Sequence, residues 1–266
     1  VIGKVFLVGA GPGDPELLTV KAADLLRRAD VVVYDRLVSP AILELIPEHV
    51  MRTSVGKASG RHSVPQDQIN QLLVDLAMQE PDRARTIVRL KGGDPFIFGR
   101  GSEEALYLSE HGVPFEVVPG ITAANAVSAY AGIPLTHRGL SNGVRFVTGH
   151  FLENRRLKLD WRALADPDST IVVYMGLSSL ERICASLLNQ GMDPATPAVA
   201  IQDGTTDRQR RVFGDLTTLP SRVKNARLSA PVMVVIGRTV ALAGRLDWFV
   251  ADSEQIDDAL AGVCNY

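Results

Sequence analysis

Short β-rich runs recur along the chain, separated by stretches of helical spacing. Lys4–Val8, Val31–Tyr34, Arg85–Leu90 and Phe115–Val118 have strand length and carry apolar residues on both alternate sets of positions. That is the form of strands buried on both faces. Helical periods begin between them, near Pro15, Pro65 and Ser102. Asp14-Pro15-Glu16 offers an N-cap, a proline at the first helical position and an early acid. Ser63-Val64-Pro65-Gln66 is a weaker version of the same signal. The alternation predicts an α/β fold with a mostly parallel sheet covered on both faces.

A second set follows: Val144–Thr148, Thr170–Tyr174, Ala198–Gln202, Arg211–Phe213 and Pro231–Ile236, with helices at about Ser178–Gln190 and Leu216–Lys224. Val118-Pro119-Gly120 reads as the junction, and the small-residue stretch from Thr122 to Ala131 as a helix between the two sheets. The expected division is therefore 1–117, 118–250 and a tail, 251–266. The tail carries Asp252, Glu254, Asp257 and Asp258 and reads as a solvated terminal helix or a frayed end.

Bulk numbers narrow the class. A length of 266 residues with 46% hydrophobic residues suits one large or two medium globular domains. The formal net charge is only −2, so no global signature of a nucleic-acid binder is present. Cys184 and Cys264 lack metal-ligand spacing, so no metal site is expected and free thiols in a reducing compartment are. No apolar run reaches the roughly 18 residues of a membrane span, and Val1–Val8 reads as a first strand rather than a signal peptide. The expectation is a cytoplasmic protein without membrane or nucleic-acid partners.

Chemistry concentrates in glycine turns. Val8-Gly9-Ala10-Gly11-Pro12-Gly13-Asp14-Pro15 follows the first strand, and Asp35 ends the next, about where a ribose-binding acid would sit. An NAD(P) site is therefore a rival reading. The fingerprint G-x-G-x-x-G fails, because Asp14 stands where the third glycine belongs and would repel a pyrophosphate. Pro12 and Pro15 also remove donors that a phosphate needs. A second turn, Leu90-Lys91-Gly92-Gly93-Asp94-Pro95-Phe96-Ile97-Phe98-Gly99-Arg100-Gly101, sets exposed backbone beside one carboxylate. That suits a ligand bearing an ammonium better than a phosphate; a turn-capping role for Asp94 and a surface role for Arg100 are the plain alternatives. Pro119-Gly120-Ile121-Thr122-Ala123-Ala124 leads a small-residue helix.

Two stretches contain no acid. Val117–Leu152 holds His137, Arg138, Arg145 and His150, and His49–Gln66 holds Arg52, Lys57, Arg61 and His62. Positive potential is thus local and would focus a polyanion. Pairing with acids brought in by folding is the alternative.

Together these segments resemble the uroporphyrinogen-III C-methyltransferase family, within the tetrapyrrole methylase class. The first turn through Thr19, Tyr34-Asp35-Arg36-Leu37-Val38, Val55-Gly56-Lys57, Arg89–Gly101, Pro119–Ala123, Gly132–Gly139 and Tyr174-Met175-Gly176 carry the likeness, from about Lys4 to Gly244. It implies two αβα domains with the active site in the cleft between them, S-adenosylmethionine (SAM) as co-substrate, and a homodimer. It implies methyl transfer to C2 and C7 of uroporphyrinogen III, giving precorrin-2. By the same likeness Pro12, Gly92, Gly93, Asp94, Ile97, Thr122, Ala123, Met175 and Gly204 would line the SAM pocket. Arg100, Glu103, Arg138 and Met175 would lie near the tetrapyrrole. Asp35 and Lys57 match positions with proton-transfer roles, and Arg100 is a third candidate; the three stay unranked, although an arginine with a pKa above roughly 12 is a poor base. The substrate's eight carboxylates account for local basic patches in a neutral chain. The dehydrogenase–ferrochelatase half of the bifunctional family form is not in this sequence, so sirohaem synthesis by this polypeptide alone is not expected. Gln79–Thr86 is slightly long for the pattern. A methylase of a later corrin intermediate, RNA or protein fits the paired segments Gly92–Gly101 and Gly132–Gly139 less well. A non-catalytic nucleotide-binding or assembly module is the remaining rival.

Overall fold

The computed structural model describes residues 1–56, 64–80, 82–149 and 159–251. The chain forms two compact units, the first ending at Ala123 and the second beginning at Ala124. Among the described residues the first unit runs β1 (Lys4–Gly9), α1 (Val20–Arg28), β2 (Val31–Tyr34), α2 (Pro40–Glu44), β3 (Met51–Ser54), α3 (Gln66–Met78), β4 (Thr86–Lys91), α4 (Gly101–Glu110) and β5 (Phe115–Val118). Its five-stranded sheet has the order β3-β2-β4-β1-β5, with every pairing parallel. Val5 and Leu7 pack with Ile69 and Leu73 of α3 and Leu108 of α4. Val8 and Val88 pack with Leu25 and Leu26 of α1 and Ile42 of α2 on the other face. Both faces are buried, as the unbroken apolar runs require.

The helix expected near Pro15 begins instead at Val20. Asp14 does act as a cap, accepting from the Glu16 amide at 2.8 Å, but it caps a single 3₁₀ turn over Pro15–Leu17. Leu18 is extended, and Thr19 caps α1 by accepting from the Ala22 amide at 3.1 Å. The two caps stand close together in sequence, at Asp14 and Thr19, and the second carries the helix. Two further elements lack an apolar signature. β3 is an edge strand with mostly exposed side chains, which needs no hydrophobic face. α2 is a short helix set by the Ser39 cap and Pro40.

The second unit contains α5 (Ala123–Tyr130) from Ala124 onward, then β6 (Gly143–Thr148), α6 (Trp161–Leu164), β7 (Ser169–Tyr174), α7 (Leu180–Asn189), β8 (Pro197–Gln202), β9 (Arg210–Asp215), α8 (Leu219–Asn225), β10 (Val232–Ile236) and α9 (Ala243–Leu246). The sheet order is β6-β7-β10-β8-β9. Only β6 and β7 are parallel among these pairs; the other three pairings are antiparallel. The connection from β8 to β9 carries no helix, so those strands pair as a hairpin rather than through a crossover. One face packs Ile171, Val173, Ala200 and Val234 against Ile183 and Leu187 of α7 and Leu219 and Val223 of α8. Val172, Val199 and Val235 on the opposite face are equally buried.

Candidate active site

Parallel pairing brings the carboxyl ends of all five strands of the first unit to one edge. At the centre of that edge, adjacent β1 and β4 send their following helices to opposite faces, α1 to one and α4 to the other. Such a switch point is where open α/β sheets bind ligands. Here the two turns are tied together. Gly11 donates to the Gly93 carbonyl at 3.1 Å, Gly93 donates to the Gly11 carbonyl at 2.7 Å, and Ala10 donates to the Lys91 carbonyl at 2.8 Å. Gly120, after β5, closes against both. A Cβ on Gly120 would lie 2.3 Å from the Gly93 carbonyl oxygen and 2.7 Å from the Gly9 Cα, and one on Gly9 would lie 2.5 Å from Gly120. Glycine is required at both positions because backbone meets backbone.

This knot consumes amide donors. Ala10, Gly11 and Gly93 donate within it, and Pro12 has no N–H. The turn is followed by a 3₁₀ turn rather than a helix N-terminus. A pyrophosphate at this first turn would find few donors and no α-helix N-terminus directly following it, which weakens the NAD(P) reading. Each carbonyl in the knot keeps a second lone pair, so acceptors remain for a cationic ligand. Gly93 has φ +68°, and a Cβ there would meet only the Ala123 nitrogen at 3.6 Å and the Thr122 Cα at 3.9 Å. Its backbone is therefore held in a conformation that favours glycine, next to Thr122 and Ala123.

Asp94 spans the knot. One carboxylate oxygen accepts from the Phe96 amide at 2.8 Å and the other from the Gly120 amide at 3.1 Å. It thus caps its own turn and clamps the turn after β5, with lone pairs to spare on both oxygens. Gly92 lies against Leu37, in the turn after β2: a Cβ would be 2.8 Å from the Leu37 Cβ. Pro12 and Ile97 are partly buried along the same edge.

The chain then turns sharply into α4. Phe98 and Arg100 have φ of 52° and 57°, left-handed values that disfavour non-glycine residues. Gly99 and Gly101 flank Arg100 because the backbone of Asp94 and Pro95 lies under them; a Cβ on Gly101 would come within 2.4 Å of the Pro95 carbonyl oxygen. The left-handed position is thus occupied by arginine and the flanking ones by glycine. Arg100 forks onto Glu103, with Nε to Oε1 at 2.8 Å and Nη2 to Oε2 at 2.7 Å. That pairing raises the Arg100 pKa above its usual value and lowers that of Glu103. Arg100 is thereby moved further from proton transfer and towards a fixed positive charge.

Beneath the turns lies a buried charge cluster that sequence reading missed. Arg89 and Lys91, both 3% exposed, project from alternate positions of β4 onto one face. Glu104, in the first turn of α4 and 0% exposed, accepts on Oε1 from Arg89 Nε at 3.0 Å, Lys91 Nζ at 3.0 Å and Gln66 Nε2 at 3.2 Å. Arg89 Nη2 lies 3.6 Å from Asp35 Oδ2, and Asp35 Oδ1 accepts from the Leu37 amide at 3.0 Å. Burial, and after it the Arg89 charge, lowers the Lys91 pKa. The available signal was two charges at i and i+2 in a strand whose other positions are buried and apolar.

In the second unit the predicted residues also gather at strand ends. Tyr174, ending β7, directs its hydroxyl to the Ala124 amide at the start of α5, which donates at 3.0 Å. Met175 follows with φ 54° and its side chain exposed. Gly204, after β8, packs on α5: a Cβ would lie 2.6 Å from both methyl groups of Val127. Its neighbours Asp203 and Thr205 have φ of 47° and 67°. Arg138 is exposed in the turn bridged by His137 and Ser141. Arg145, of the acid-free stretch, lies 3.8 Å from Asp166, an acid from elsewhere in the sequence. Lys57, Arg61, His62 and His150 lie outside the described residues, as does Cys264. No group of metal-ligating side chains occurs among the described residues.

Residues 4–220 match the tetrapyrrole (corrin/porphyrin) methylases. The chain belongs to this family. The siroheme synthase of Nitrosomonas europaea is 52% identical over 252 residues, which is 95% of this chain and 52% of that protein. The chain thus spans about half the length of the curated relatives it matches. A uroporphyrin-III C-methyltransferase of Thermus thermophilus, solved in complex with S-adenosylhomocysteine, is 41% identical with a TM-score of 0.75, covering 90% of this chain and 93% of that one. A cobalt-precorrin-4 methyltransferase from cobalamin biosynthesis is 26% identical with a TM-score of 0.78, covering 89% of this chain and 95% of that one. The two-unit α/β fold of this tetrapyrrole methylase is therefore shared with enzymes of different substrates.

Proposed function

We propose that this tetrapyrrole methylase transfers methyl groups from SAM to C2 and C7 of uroporphyrinogen III, giving precorrin-2 and S-adenosylhomocysteine. The likeness of fold does not choose among tetrapyrrole substrates, since the two TM-scores are nearly equal. Sequence does. Identity is 41% to the uroporphyrin-III enzyme against 26% to the cobalt-precorrin-4 enzyme. The Gly92–Gly101 segment carries the reading, because it joins a clamped carboxylate, Asp94, to a strained arginine, Arg100.

The donor set suits SAM. The glycine knot has spent its amide donors and kept its acceptors, which fits a ligand with an ammonium and a sulfonium. In this reading Pro12, Gly92, Gly93, Asp94, Ile97, Thr122, Ala123, Met175 and Gly204 bind SAM. SAM supplies the activated methyl group; the chain supplies orientation, and holding the reacting atoms in line lowers the barrier by several kcal/mol. Arg100 and Arg138 hold carboxylates of the substrate, for which an arginine fork is the better partner. Glu103 fixes the Arg100 fork. Asp35 receives the proton that the macrocycle loses once methylation has left the modified ring positively charged, with Lys57 as the second candidate. Arg100 is assigned the electrostatic role. The active protein is taken to be a homodimer, which sedimentation tests directly.

Binding and turnover decide between this reading and its rivals. SAM should bind in a calorimetric titration where NADH does not. Anaerobic incubation with uroporphyrinogen III should release two molecules of S-adenosylhomocysteine per tetrapyrrole. NADH binding without SAM binding, or SAM binding without any release, would overturn the proposal.

A further inference from the structure

We propose that Glu104 is a positioning residue for the transfer reaction, acting on Asp35 through Arg89. This rests on the proton-accepting role given to Asp35 above. Glu104 receives bonds from Arg89 and Lys91 of β4 and from Gln66 of α3, while itself sitting on α4. Each Arg89 nitrogen has a neighbour: Nε bonds Glu104, Nη1 donates to the Leu90 carbonyl at 3.2 Å, and Nη2 faces Asp35. The Asp35 side chain is 27% exposed, at the strand end beside Leu37 and Gly92. It is the most exposed of the four charged groups of the cluster.

Charge counting explains the coupling. Arg89 and Lys91 bring two positive charges into the unit's interior, and Glu104 and Asp35 bring two negative ones. With Glu104 ionised, Arg89 divides its fork between two carboxylates, and Asp35 is held loosely at 3.6 Å. Without that charge Arg89 turns wholly to Asp35, which is drawn inward and away from substrate. Glu104 is not built for stability alone. Its second oxygen, Oε2, is buried with no hydrogen-bond partner among the described residues, an arrangement that folding by itself disfavours.

The test uses Glu104→Gln, which keeps the shape and the Oε1 acceptor but removes the charge. It is paired with Lys91→Met/Glu104→Gln, which restores charge balance should the single variant fold poorly. For both, kcat should fall on the order of tenfold or more, the size expected when a reacting group is misplaced. The dissociation constant for SAM should stay within about threefold, because the glycine knot and the Asp94 clamp do not involve Glu104. In an Asp35→Asn background, Glu104→Gln should change kcat by less than about threefold, as expected for residues acting as a unit. A charge-balanced variant that is folded and has wild-type kcat overturns the inference, as do independent losses in the Asp35→Asn background. Wild type assayed alongside separates the claims, since a wild type that forms no methylated product refutes the proposed function. The melting temperatures of wild type, the two single variants and Asp35→Asn/Glu104→Gln then still decide this one. Sharing of Arg89 requires non-additive shifts, and additive shifts contradict it.

Discussion

Arg100 concentrates at one residue the tension between local preference and use. A left-handed backbone costs a non-glycine residue roughly 1 kcal/mol or more, and two neighbouring glycines do not relieve it because they serve close backbone packing. Its ion pair with Glu103 is more than half exposed on both sides, so it contributes under about 1 kcal/mol. Arg100→Gly should therefore leave the melting temperature within about 2 °C of wild type while turnover falls. A drop of many degrees would show that Arg100 is there for stability. Arg100→Lys keeps the charge and loses the fork. Turnover should fall about tenfold or more, the worth of one charge-assisted hydrogen bond, with SAM affinity unchanged. Near-normal turnover would remove Arg100 from any essential role. In the sequence, Arg100 stood out because glycines flank it. Glu104 did not, because an acid in the first turn of a helix is ordinary and only the fold shows that this one is buried against β4.

Among the elements, the knot of Gly9, Gly11, Gly93 and Gly120 is the feature on which the site depends. Gly120→Ala would drive a methyl group into backbone atoms that cannot swing aside. It should destabilise by about 1–3 kcal/mol or more, as overpacking does, and abolish high-affinity SAM binding. Gly112→Ala is the matched control. Gly112 has φ +67° and nothing within 4 Å of a Cβ, so strain alone should cost about 1 kcal/mol and leave SAM binding intact. Equal effects of the two substitutions on SAM affinity would contradict the role of the knot.

The edge of the first sheet has its own pH-dependent tie. Glu116 on β5 accepts from Lys21 of α1 and from Lys4 of β1, and these bonds, Lys21 first, hold its pKa at about 2. A carboxyl depressed in the folded state adds stability above its unfolded pKa of about 4.3 and loses it as pH falls through the folded value. Glu116→Gln should lower the melting temperature modestly at pH 7. The gap to wild type should close between about pH 4.3 and pH 2. A gap that persists undiminished at the acid end would contradict the ion pairing. Within the elements, buried strands were legible from their apolar runs and helix starts from their caps. The Asp14 cap misled because two caps stand close together, at Asp14 and Thr19, and the first closes only a 3₁₀ turn. β3 was missed because an edge strand of Met, Arg, Thr and Ser has no pattern to read.

For the whole molecule, the two units differ in how far their sheets could be read. The first shows regular alternation of strand and helix, which leads to parallel pairing. In the second, strands such as Val232–Ile236 are apolar on both faces whether their neighbours run parallel or antiparallel. Strand existence was therefore readable there and direction was not. The site was readable as separate motifs, since glycine, aspartate and arginine mark turns wherever they fall. That the turns after β1, β4 and β5 bond to one another depends on sheet order, which no single motif contains. Among the described residues no helix is long and apolar enough to cross a membrane.

The central claim is that these turns serve methylation of uroporphyrinogen III at two carbons. Its most direct test is ¹³C NMR of the tetrapyrrole formed anaerobically from uroporphyrinogen III and SAM labelled in the methyl group. Two labelled methyl groups are expected, one on C2 and one on C7. An unlabelled tetrapyrrole, or label attached at other carbons or at nitrogen, would contradict it.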